Sequence, residues 1–79
     1  MLLTLSELER EREKRGINKQ TMSTLIGMSS GAWNTALWAG YLHEDARRRA
    51  QLVLLMYDAR GIVPTPDEVA MAVDTSVTT

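Results

Sequence analysis

The 79-residue chain contains no cysteine and no phenylalanine, a single histidine, two prolines, and only two tryptophans and two tyrosines as aromatics. Without cysteine there are neither disulfides nor thiolate metal sites, and a lone His43 excludes a multi-histidine centre, so no metal and no cofactor is expected. Long hydrophobic runs are also missing. Leu52 to Met56 falls far short of the roughly 20 residues of a membrane span, and Met1-Leu2-Leu3 is too short for a signal peptide. A soluble, cytoplasmic protein is therefore expected. Catalytic groupings are equally scarce. His43 reads as an exposed polar residue at a helix start, and no serine or carboxylate pair beside it completes an apparatus. Ser29-Ser30-Gly31 is too poor in glycine for a phosphate cradle and follows no strand. No catalytic residue is assigned, and an enzyme is not expected.

An excess of positive charge is lacking as well. The net charge is −1 and the pI about 5.7, which argues against simple electrostatic binding of nucleic acid. The average conceals an uneven distribution. Glu7, Glu9, Glu11 and Glu13 lie early and Asp67, Glu68 and Asp74 late, whereas Lys14, Arg15 and Lys19 form one basic group and Arg47, Arg48 and Arg49 another. A chain this short forms one domain, expected over residues 1–74 with a frayed 75–79 tail, and buries roughly 60% of the surface its unfolded form exposes. Oligomerisation would add to that marginal stability.

The most informative stretch runs from Ile17 to Gly40. Asn18 suits an N-cap, since its side-chain oxygen can accept from free first-turn N–H groups, and Met22, Leu25 and Ile26 follow at helical spacing. Gly27 comes where a chain leaving a helix needs positive φ. Met28 is expected to plug the corner, and Ser29 or Ser30 to cap a second helix spanning about 30–39. Ala32, Trp33, Ala36 and Leu37 share one face of that helix, while Ser23 is the small residue that lets the two helices approach.

This pattern resembles the helix-turn-helix of the lambda-repressor-like (Cro and XRE) family: a polar helix start at Asn18, Met22-Ser23, the turn Gly27, Met28-Ser29, and core positions at Trp33 and Ala36. With its flanking helices the resemblance covers roughly residues 5 to 60. Three positions depart from the family pattern: Lys19 stands at the usual glutamine with Gln20 one later, Ser23 replaces alanine, and Trp33 replaces a smaller aliphatic residue. The resemblance implies an all-α domain of four to five short helices and a small transcriptional regulator of phage or mobile-element type.

The flanking segments read as helices. Thr4 with Glu7, or Ser6 with Glu9, fits a capping box, so the first helix starts near Leu5 and ends at Gly16. Its alternating charges read as a solvated face, with a phosphate contact from Lys14 or Arg15 as the functional alternative. A long helix follows from about His43 to Arg60, with Ala46, Ala50, Val53, Leu54 and Tyr57 inward. Leu52, Leu55 and Met56 make its second half apolar nearly all round, to be covered by the C-terminal segment or by a second copy of the chain. Thr65, Pro66 and Glu68 start a last helix carrying Val69, Met71, Ala72 and Val73.

By this resemblance the second helix of the motif enters the major groove of double-stranded DNA. Ser29, Ser30, Asn34 and Thr35 then face base edges, and Lys19, Gln20, Arg47, Arg48 and Arg49 clamp phosphates on either side. Trp33 is assigned to the core. Trp38 and Tyr41, with Leu52, Leu55 and Met56, are candidates for a homodimer seam or for a surface that binds another protein. The competing functional reading is a phage-encoded inhibitor of a host protein, built on the same scaffold, that does not bind DNA.

Overall fold

A computed structural model describes the backbone of residues 1–78 and the side chains of residues 1–74. Its described residues form five helices: α1 (Leu5–Arg15), α2 (Lys19–Leu25), α3 (Ala32–Ala39), α4 (Glu44–Arg60) and α5 (Pro66–Thr78). The expected frayed tail, 75–79, falls on residues whose side chains, and for Thr79 the backbone, lie outside those described.

Local chemistry starts most of these helices where the sequence places them. Thr4 and Glu7 form the reciprocal capping box of α1, Asn18 Oδ1 accepts the Thr21 N–H at 2.7 Å, and Thr65 and Glu68 repeat the reciprocal pattern before α5. Each supplies partners for amides that the first turn of a helix leaves without intrahelical acceptors. At the far end of α2, Gly27 has φ +79°. Its N–H reaches Thr24 O and that of Met28 reaches Ser23 O, a closed turn that a side chain at position 27 would strain.

One core unites the helices. Leu8 of α1, Met22 and Leu25 of α2, Trp33 and Ala36 of α3, Ala50, Val53 and Leu54 of α4 and Val69 of α5 are all buried. Helix α4 is the spine, packing on α1, α2 and α5. The chain ahead of α1 is pinned to it by Gln51, which accepts from the Leu3 N–H at 2.9 Å and donates to Met1 O at 3.0 Å. Helix α3 differs in placement, since it packs chiefly on α2 and so lies at the edge of the domain.

Three expectations are corrected here. Met28 does not plug the corner but stays exposed. Neither Ser29 nor Ser30 caps α3, which starts two residues later than expected with Gly31 as its cap residue and no side-chain bond from it. The partner comes from α2 instead: Ser23 Oγ accepts the Trp33 N–H at 2.8 Å while donating to Lys19 O at 2.9 Å. The third correction concerns the charged run of α1, which is not a purely solvated face. Arg12 is only 7% exposed, and Arg15 reaches across to Asp58 of α4 with bonds of 2.8 and 2.6 Å.

Candidate nucleic-acid interface

The α2–α3 unit is held from behind by a cluster of polar groups. Arg12 lies against the outer edge of the core and donates to both oxygens of Glu9, at 2.6 and 2.7 Å, and to Ile17 O at 2.6 Å. Glu9 Oε1 also accepts the indole N–H of Trp33 at 2.8 Å. The carboxylate therefore receives charge-assisted bonds on one side and fixes a buried aromatic on the other. Arg12 holds the Glu9 pKa down at about 2, with the indole N–H adding to the effect and partial desolvation opposing it. Trp33 is completely buried, as the sequence pattern suggests, but its anchoring to α1 depends on residues far away in the chain.

With Trp33 and Ala36 turned inward, helical geometry turns Asn34, Thr35 and Trp38 outward, and all three are exposed. Ser29, Ser30 and Gly31 are exposed on the approach to the helix. Beside them runs an open groove of about 590 Å³ lined by Arg12, Asn18, Lys19, Gln20, Ser30, Gly31 and Asn34. Four of the residues singled out in the sequence, Lys19, Gln20, Ser30 and Asn34, thus meet in one place, with Ser29 and Thr35 outside the groove lining. No carboxylate lines it among the described residues, and of its two cations, Arg12 and Lys19, Arg12 is already paired with Glu9.

The arginine block of α4 is not brought to that place as a unit. Successive helical residues point about 100° apart, so three in a row cannot share a face. Arg48 points away from the core and pairs with Glu44 at 3.4 Å. Arg49 turns toward α2, donating to Ile26 O at 3.3 Å and packing close to Gly27, where it satisfies a carbonyl at the helix end. Arg47 is half-buried, and its Nε has no hydrogen-bond partner among the described residues. Of the α1 candidates, Arg15 is committed to Asp58 and Glu11, and Lys14 pairs with Glu11 at 3.1 Å.

The apolar candidates separate as well. Trp38 is 85% exposed and Tyr41 67% exposed, both next to the outward face of α3. Leu52 and Leu55 instead line a second groove, of about 430 Å³, with Met1, Leu2, Arg48, Gln51 and Val73. Met56 is half-buried against the core. Helix α5 therefore covers only part of the apolar circumference of α4.

No family model matches the chain, and neither does a curated protein or a solved structure. Among the described residues no helix is long and apolar enough to cross a membrane.

Proposed function

We propose that the protein is a small DNA-binding regulator of transcription that places α3 in the major groove of double-stranded DNA. The observation that carries this reading is the setting of α3: an uncharged helix at the domain edge, its outward face exposed, beside a groove that holds Lys19, Gln20, Ser30 and Asn34 and, among the described residues, no carboxylate. An α-helix with its side chains is about 10–12 Å across, a width that a major groove of about 12 Å admits. Asn34 is the residue suited to bidentate contact with adenine, Ser29, Ser30 and Thr35 suit less selective contacts, and Gly31 has nothing to read with. Lys19 and Gln20 hold the backbone nearest to the groove, with the dispersed arginines of α4 secondary. So few cations favour two copies on a palindromic site, as in the phage and mobile-element regulators that the resemblance suggests, and the groove of Leu52 and Leu55 offers an apolar seam for such a homodimer.

Titration of a pool of random-sequence duplexes in a gel-shift assay tests the proposal. A retarded species is expected, with log affinity falling against log salt by about 0.9 per phosphate neutralised. A folded protein that retards no duplex at low salt contradicts it.

The exposure of Trp38 and Tyr41 favours a second reading, a module that inhibits or otherwise binds a host protein through that aromatic surface. A single stoichiometric partner recovered from host lysate, together with no duplex binding, selects this alternative.

A further inference from the structure

Resting on the DNA-binding reading, we propose that Glu9 is a positioning residue for base recognition: held by Arg12, it fixes through the Trp33 indole the angle at which α3 turns Asn34 outward. Helix α3 packs chiefly on α2, and its cap residue Gly31 supplies no side-chain bond. Burial of Trp33 holds the helix against the core, but apolar contact is non-directional and leaves rotation about the helix axis weakly specified. Direction comes from two donors on that one residue. The Trp33 backbone N–H reaches Ser23 Oγ of α2 at 2.8 Å, and its indole N–H reaches Glu9 Oε1 of α1 at 2.8 Å. The first bond pins a point on the helix, and the second, at the far end of the side chain, sets the rotation about that point.

The acceptor of the indole bond is itself fixed. Arg12 grips both Glu9 oxygens and donates to Ile17 O, so the carboxylate is placed by charge-assisted bonds from a buried guanidinium. Slack at this point would matter because Asn34 directly follows Trp33. Helical side chains end about 5–6 Å from the axis, so turning α3 by about 20° would carry the Asn34 amide through about 2 Å. Hydrogen bonds keep their strength over only about 0.5 Å. Bidentate contact with adenine would be lost, whereas Lys19, on a different helix, would keep its phosphate contact.

Glu9→Gln and Glu9→Leu separate this role from simple stability. Both remove the charge beside Arg12, but only glutamine leaves an oxygen for the indole and for Arg12 Nε. In amide hydrogen exchange, Glu9→Leu should lower protection in α3 by about tenfold more than at Val53 and Leu54 of α4, and Glu9→Gln should keep most of it. For a duplex that the wild type selects from a random pool, Glu9→Leu should lose about tenfold in affinity, the worth of one bidentate base contact, with little loss for unselected duplex. Glu9→Gln should recover most of that discrimination. Trp33→Phe, which removes the donor and leaves the Glu9–Arg12 pair, should repeat the pattern and serves where Glu9→Leu does not fold. Equal loss of protection in α3 and α4, or a leucine variant that matches the glutamine variant, overturns the proposal in favour of a merely structural pair. Selective loss of protection in α3 with undiminished discrimination overturns the role in base recognition while leaving DNA binding intact. A wild type that retards no duplex overturns the DNA-binding reading and this role with it, a case that the wild-type gel shift alone identifies.

Discussion

Helices α1 and α3 are opposites in composition, and each does what its composition least suggests. In α1 every residue except Leu5, Ser6 and Leu8 is charged, yet Arg12 is buried and Glu9 and Arg15 are bonded into the rest of the fold. In α3 no residue is charged, yet it is the helix that leaves a tryptophan 85% exposed. The charge of α1 is used to fix positions within the molecule, and α3 is left with a neutral face free for contact. A charged helix is therefore not automatically the interaction surface, nor an apolar one the core.

That contrast is most open to attack at the two tryptophans and the groups around them. Trp33→Ala should destabilise the domain by about 3–5 kcal/mol, since it opens a large cavity and also removes a donor from Glu9. For a domain of this size that is most of the stability, and urea titration by far-UV circular dichroism should find the variant largely unfolded.

Acid comes next in size. The folded pKa of Glu9 is about 2, below the ordinary 4.5, so its contribution is complete above about pH 4.5 and is lost as pH falls toward 2. The change should be about 3 kcal/mol, measured as the pH dependence of the urea midpoint, and Glu9→Gln should remove most of it. An unchanged acid profile in Glu9→Gln would mean that α1 does not hold α3 through this carboxylate.

Ser23→Ala should cost about 1 kcal/mol by leaving the Trp33 amide without its acceptor, again read from the urea midpoint. Smallest of all, Trp38→Ala should shift stability by no more than about 0.5 kcal/mol. Similar losses from the two tryptophan substitutions would erase the distinction between an inward-anchored and an outward-facing indole.

The features legible in the sequence are those decided within a few residues. Thr4 with Glu7, Asn18 with Thr21 and Thr65 with Glu68 are local bonds, and the positive φ of Gly27 follows from the helix that ends just before it. Trp33 was legible as core because the spacing to Ala36 and Leu37 marks one face. The partner of its indole was not, because Glu9 lies 24 residues away and an (i, i+3) pair with Arg12 has the same spacing whether it is wet or buried. The acceptor at the start of α3 is not legible for a similar reason: Ser29 and Ser30 are good local caps, and a serine ten residues before Trp33 takes the bond. Dispersal of Arg47, Arg48 and Arg49 did have a signal in the sequence, since adjacent helical positions diverge. The exposed face shared by Asn34 and Trp38 is also present in the (i, i+4) spacing.

Amide chemical-shift mapping on addition of random-sequence duplex addresses the central claim most directly. The account predicts that the largest perturbations cluster at Lys19 and Gln20 and from Ser29 to Trp38, with the Glu9–Arg12–Trp33 cluster intact. Perturbations centred on Leu52 and Leu55, or a spectrum that duplex leaves unaltered, would contradict it.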